Sequence, residues 1–118
     1  MNKKKINIVK ENREFNDVIQ TGKFIKNKYF VIYYKNNNLN RYRFGISVSK
    51  KTCNAVNRNK LKRQVRNIVD NYKNIYSKSK DYIIIIRKSC LNEAYSVLED
   101  NLGNLLQKLE KEMKNEEK

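Results

Sequence analysis

Residues 81–88 read DYIIIIRK, four consecutive isoleucines bounded on both sides by polar and charged residues. The run is too short for a core helix, and β-branched side chains favour extended backbone. Unbroken apolarity, in place of alternation, marks a strand buried on both faces. Such a strand belongs in a layered fold, where other elements cover it.

The remaining segments supply those elements. KENREFNDVIQTGK (10–23) places Phe15, Val18 and Ile19 on one side of a short helix that Gly22 ends. KYFVIYY (28–34) is rich in aromatic and β-branched residues and predicts a strand. NNNLN (36–40) predicts a turn, because Asn tolerates left-handed backbone. RYRFGISVS (41–49) predicts a second strand, in a hairpin with the first. It alternates, with Tyr42, Phe44, Ile46 and Val48 on one face and Arg41, Arg43, Gly45, Ser47 and Ser49 on the other. That second face is small and polar apart from its arginines, which lets a ligand approach the backbone.

A helix is expected from about Ala55 to Tyr72, with Leu61, Val65, Ile68 and Tyr72 forming one apolar stripe. Leu91, Ala94, Tyr95, Leu98, Leu102, Leu105, Leu106 and Leu109 predict a long amphipathic helix that covers the core. Residues 1–9 are expected to be a flexible basic arm, and residues 110–118 a fraying charged tail. The expected fold is a single α+β domain over residues 1–118, an α-β-β-α-β-α sandwich with room for an extra short strand. A length of 118 residues fits one domain.

The formal net charge is +15, and its distribution is uneven. From Val18 to Val69 there are 13 basic residues and no acidic ones, whereas nine of the 12 acids lie from Asp70 onward. Mixing would suit a charge that serves solubility alone; segregation suits a face that binds a polyanion. No run approaches the ~18 apolar residues of a membrane span. The basic start has no apolar stretch of signal-peptide type after it, which points to the cytoplasm. The two cysteines form no ligand-like cluster and His is absent, so neither zinc nor a disulfide is expected. With no His, no Gly-rich phosphate loop and no Gly-x-Ser-x-Gly, the catalytic inventory argues against a small-molecule enzyme.

The cations concentrate on the helix over 55–72. Arg58, Lys62 and Arg66 recur every fourth residue, Asn59 and Arg63 flank them, and the group lies away from the apolar stripe with Arg58 near its edge. Five cations between residues 58 and 66 repel one another, at about 0.2–0.5 kcal/mol per i,i+4 pair, with no acid nearby in sequence to relieve them. A solvated face does not need that arrangement; a phosphate-binding face does. A membrane-surface helix fits poorly, because Trp is absent and the apolar stripe is needed for the core. The preceding element is a strand, so the helix-turn-helix geometry of a DNA reader is missing. Structured RNA, read through shape, phosphates and 2′-hydroxyls, fits best. The rings of YFVIYY offer stacking surfaces for unpaired bases where the core does not claim them.

GISVSKKTCNAVNRNKLKRQVRN (45–67) resembles the signature of the bacterial ribonuclease P protein subunit. That signature runs Gly-[hydrophobic]-Ser-Val-Ser-Lys-Lys, a short turn, Ala-Val, then Arg-Asn-Arg-x-Lys-Arg-x-x-Arg. The similarity extends to the Phe-bearing first helix, YFVIYY, DYIIIIR and the last helix. It implies an accessory subunit of a ribozyme that removes the 5′ leader of precursor tRNA with Mg²⁺, with no cofactor, metal site or catalytic residue on the protein. The implied partners are ribonuclease P RNA and precursor tRNA, with no membrane and no protein partner required. Carried over by position, Arg58, Asn59, Lys60, Lys62, Arg63 and Arg66 would face the ribozyme. Phe15, Ile19, Tyr33, Ser47, Ser49, Lys50 and Lys51 would line or border a cleft for the leader. The implied fold has a mixed sheet with a left-handed βαβ crossover and resembles a small-subunit ribosomal protein domain. The rival reading is a structural RNA-binding protein of ribosomal type, without a processing role. Two positions depart from the signature: Lys60 replaces the second Arg of the triplet and loses its planar fork, and Cys53 stands where Gly is common. A left-handed turn there would fall to Asn54.

Overall fold

The computed structural model describes residues 12–116. In chain order these form α1 (Asn12–Thr21), β1 (Lys23–Lys26), β2 (Phe30–Asn36), β3 (Arg43–Val48), α2 (Ala55–Asn71), β4 (Lys80–Ile86), a short 3₁₀ turn (Lys88–Cys90) and α3 (Tyr95–Glu116). The basic arm expected over residues 1–9 lies outside the described residues. The sheet order is β1-β2-β4-β3, with β4 antiparallel to β2 and parallel to β3.

β4 carries the isoleucine run and occupies an interior position in the sheet. Tyr82, Ile84 and Ile86 enter the larger core on one face, and Ile83 anchors a smaller cluster on the other. This corrects the expected hairpin between the second and third strands. Neighbours in sequence usually pair, but a β2–β3 hairpin would leave a strand that is apolar on both faces at the sheet edge with unpaired backbone. β2 instead forms its hairpin with β1, the extra short strand. Asn27 shapes that turn, its Oδ1 accepting from the Tyr29 and Phe30 N–H groups at 2.9 Å each.

α2 and α3 cover one face of the sheet. Leu61, Val65 and Ile68 of the predicted stripe are buried and Val69 joins them, whereas Tyr72, the stripe's last member, is the half-buried C-cap of α2. Asn54 is the N-cap of α2, accepting from the Asn57 N–H at 2.9 Å with φ −72°. The turn at Cys53 thus places no left-handed residue at Asn54. Positive φ among non-glycine described residues falls at Asn40, Ser79 and Asn92. Gly103 lets α3 approach the end of α2, since a Cβ there would collide with the Tyr72 ring and hydroxyl.

Two expectations for the last helix are corrected. Leu91 and Ala94 precede it, Leu91 in the turn that Asn92 makes with positive φ and Ala94 directly before Tyr95. Within the expected tail of 110–118, residues 110–116 are helical rather than frayed, because α3 continues to Glu116 and buries Met113, and residues 117–118 lie outside the described residues. Glu110 is only 5% exposed, accepting from Tyr82 Oη at 2.7 Å and Ser77 Oγ at 2.8 Å. The sequence reading took Glu110 as the first residue of a charged run, whereas its carboxylate satisfies a buried phenol. No helix among the described residues is long and apolar enough to cross a membrane.

Burial raises the pKa of Tyr76 and of Tyr82 far above the ordinary phenol value, and for Tyr82 the bond to Glu110 adds to it. A phenol with a raised folded-state pKa stabilises the fold below its unfolded pKa, and that contribution is lost as pH rises above ~10. Stability measured by urea unfolding should therefore fall above about pH 10. Tyr76→Phe, which also loses the bond to the Val69 carbonyl, should start lower but fall less steeply, by up to about 1.4 kcal/mol per pH unit. Equal slopes would show that Tyr76 ionises freely in the fold.

Candidate nucleic-acid interface

The outer face of α2 presents Asn59, Lys60, Arg63 and Arg66 exposed, with Lys62 half-exposed beside them. Among the described residues, no carboxylate lies within ion-pair distance of Lys60, Lys62, Arg63 or Arg66. Among the described residues, the repulsion read from the sequence is thus unrelieved in three dimensions. Arg58 and Lys60 also sit in the first two turns, where the helix dipole already disfavours cations and favours anions.

Arg58 makes contacts within the protein that the other cations of this face do not. Its Nη1 donates to the Cys53 carbonyl at 2.6 Å and to the Lys50 carbonyl at 3.4 Å. The half-buried guanidinium braces the loop between β3 and α2. Ser49 Oγ accepts from the Lys51 N–H at 3.1 Å inside the same loop, and Lys50 and Lys51 project into solvent. Arg58 therefore sets where these two lysines stand.

The other sheet face carries three side-chain rows in register. Lys35, Asp81 and Arg43 form the first; Phe24, Tyr33, Ile83 and Gly45 the second; Lys26, Val31, Ile85 and Ser47 the third. α1 is fixed over the first two. Lys35 pairs with Asp17. Arg43 donates to Asp81 at 2.9 and 2.8 Å and to Glu14 at 3.2 and 3.1 Å, and Asn37 adds a donor to Asp81 at 2.7 Å. The Phe15 ring lies over Gly45, where a Cβ would stand 3.0 Å from the ring and 2.8 Å from Ile83 Cδ1. Gly45 is the residue that lets Phe15 sit down on the strand.

The third row has no such cover. Val31, Ile85 and Ser47 stay half-exposed and Lys26 exposed. With Phe15, Ile19 and Tyr33, all half-buried against Val18 and Ile83, they form a shallow apolar trough between α1 and the sheet. Ser49, Lys50 and Lys51 stand past the β3 end of that trough. The structure thus gathers Phe15, Ile19, Tyr33 and Ser47 at one trough, sets Ser49, Lys50 and Lys51 at its rim, and puts Asn59, Lys60, Lys62, Arg63 and Arg66 on a separate face.

Sequence reasoning missed Val31 and Ile85. The alternation of β2 and β4 carries them, but only the register places them beside Ser47. It also left Arg43 among the polar face residues. Its guanidinium is neutralised by two carboxylates and its pKa is raised above the usual value, chiefly by the hydrogen bonds to Asp81.

The ribonuclease P family profile matches residues 3–110. The ribonuclease P protein component of Mycoplasma capricolum is 49% identical over 108 residues, 91% of this chain and 95% of that one. That of Streptococcus pneumoniae serotype 4 is 39% identical over 98 residues, covering 83% of this chain and 80% of that one. The structure is similar to the RNase P protein from Thermotoga maritima (TM-score 0.79, 32% identity, 86% and 96% of the two chains). It is also similar to that of Staphylococcus aureus (TM-score 0.77, 35% identity, 84% and 91%).

Asp81 is 6% exposed, and its carboxylate is paired with Arg43. Arg43→Ala should cost about 3–5 kcal/mol in urea unfolding, because it strands a buried carboxylate. Adding Asp81→Asn should restore part of that loss. A double variant no more stable than Arg43→Ala alone would show that charge is not what Arg43 compensates.

Proposed function

We propose that this chain, which belongs to the ribonuclease P family, divides two kinds of RNA between two surfaces. As a ribonuclease P protein it is a subunit of an endoribonuclease that makes the 5′ ends of tRNA. Asn59, Lys60, Lys62, Arg63 and Arg66 bind the catalytic RNA subunit. The trough bordered by Phe15, Ile19, Tyr33, Ser47, Ser49, Lys50 and Lys51 takes the single-stranded leader of precursor tRNA. Arg58 acts through the loop it braces, aiming Lys50 and Lys51 at phosphates.

The observation that carries this reading is the unpaired cationic face of α2, built on an element whose other face is committed to the core. Counterion release on phosphate contact gives such a face affinity that a neutral surface lacks. The trough has complementary chemistry, with apolar and aromatic walls for bases and lysines at its ends. Cleavage itself we assign to the RNA subunit with Mg²⁺ held there. This chain has no histidine to serve as a base near neutral pH. Among its described residues no three carboxylates, cysteines or histidines converge. A ribosomal-type role without processing is disfavoured by family membership.

Assembly with the RNA subunit should weaken steeply with salt. Arg63→Ala with Arg66→Ala should make the slope of log affinity against log salt shallower by up to about two. The leader-length preference of complex already assembled should not change. An unaltered salt slope would remove these two residues from the RNA-subunit interface.

Phe15→Leu should behave in the opposite way. It keeps apolar fill over Gly45 but loses the ring. Assembly should stay near normal while the affinity gained from a leader several nucleotides long shrinks. The unfolding midpoint is measured alongside, because Phe15 also packs on Val18 and Ile83. If assembly and leader affinity fall together in a fully folded variant, the two surfaces are not separate.

A further inference from the structure

Phe24 is 55% exposed, one of three large apolar side chains exposed among the described residues. It sits on β1, the edge strand, and the core has no claim on it. Exposure of a lone ring is ordinary on a protein surface. This ring, however, is placed against another: its centroid lies 5.6 Å from that of Tyr33, with the planes tilted by 43°. That is aromatic pairing distance. Tyr33 already borders the trough, so Phe24 continues the row Gly45, Ile83, Tyr33 to the sheet edge, three strand spacings or about 14 Å from Gly45.

The charges around the ring point to the same occupant. Lys26 lies two residues along β1 on the same face, exposed, at the head of the open row Lys26, Val31, Ile85, Ser47. The stretch from Val18 to Val69 that contains β1 holds no acid. A protein partner or a second copy would meet one ring and a cation. An unpaired nucleotide would place its base on the ring and its phosphate by the lysine, the combination that single-strand sites use.

We propose that Phe24 and Tyr33 form a stacking platform for one unpaired base of the leader, lengthening the trough to the β1 edge, with Lys26 on the adjoining phosphate. The proposal rests on the trough binding the leader. It adds a binding residue at the far end from Ser49, Lys50 and Lys51, and makes Phe24 sensitive to the base at a single leader position. Stacking tolerates any base, so the platform sets how far the leader is followed and only weakly which sequence is preferred.

The test uses holoenzyme assembled from the full chain, its RNA subunit and precursor tRNA whose leader carries one abasic site, moved position by position. With parent protein, one position beyond those that answer to Phe15→Leu should lose roughly 5- to 150-fold in affinity when its base is removed. Phe24→Ala should lose a similar factor with the intact leader and become indifferent to the abasic site at that position alone. Phe24→Tyr should restore both. An abasic profile for Phe24→Ala that matches the parent overturns the platform while leaving the trough in place. Equal affinity of parent holoenzyme for leaderless and leader-bearing tRNA overturns both. A change in oligomeric state on Phe24→Ala, with leader affinity intact, makes the ring a protein contact and also overturns the proposal.

Discussion

Burying β4 is the constraint from which the rest follows. A fully buried isoleucine side chain contributes about 1.5–3 kcal/mol, so a strand with isoleucines on both faces requires cover on both. The chain supplies that cover unequally. On one face it lays α2 and α3, of 17 and 22 residues. On the other it has only α1, with 10 residues. A ten-residue helix is about 15 Å long and 10 Å wide, while four strands of this length present a face of roughly 20 by 20 Å. One row must stay partly open, and Ile85 on that row is half-exposed where Ile83 and Ile84 are fully buried. The trough is the remainder left when a short helix covers a wide sheet.

Which row stays open is decided by what holds α1. Ion pairs at the Arg43 end pull it toward the first row, and the missing Cβ at Gly45 lets Phe15 settle on the second. The ion pairs gain much of their effect from partial burial, since exposed pairs contribute only ~0–1 kcal/mol. The contact at Gly45 is steric and directional. Together they fix both the tilt and the depth of the trough wall, so that a substitution at Gly45 or Arg43 would reshape the trough without removing a residue of its open row.

Much of this was legible in the residues. The stripe of Leu61, Val65 and Ile68 gave the buried face of α2, and the spacing of Arg63 and Arg66 gave the exposed one, because a 17-residue helix has a single well-defined period. The isoleucine run announced a two-sided strand. The misassigned parts depended on pairing between distant segments. The β2–β3 hairpin was expected from proximity in the chain, yet β4 comes between them. Glu110 read as tail because nothing local signals that Tyr82, 28 residues earlier, needs an acceptor. Arg58 shares the cation spacing of α2, and only the folded loop adds that its Nη1 also donates to two carbonyls. Phe24 was absorbed into an unassigned stretch, since a four-residue edge strand has too few positions to show alternation.

The parallel pairing of β3 with β4 explains why the two surfaces come as neighbours. Parallel neighbours cannot be joined by a hairpin; they need a crossover of a dozen residues or more, usually a helix. Here that obligatory connection is α2. Its inner face must be apolar to cover β4, which leaves its outer face unconstrained by folding and available for cations. The strand that ends at Val48 places Ser47 on the trough, and α2 begins at Ala55 with the cationic face. Only the loop between them, braced by Arg58 through the Lys50 and Cys53 carbonyls, separates the two surfaces. A folded α2 therefore fixes the loop, and the loop fixes Lys50 and Lys51 at the mouth of the trough. Both surfaces thus arise from one topological requirement of the fold.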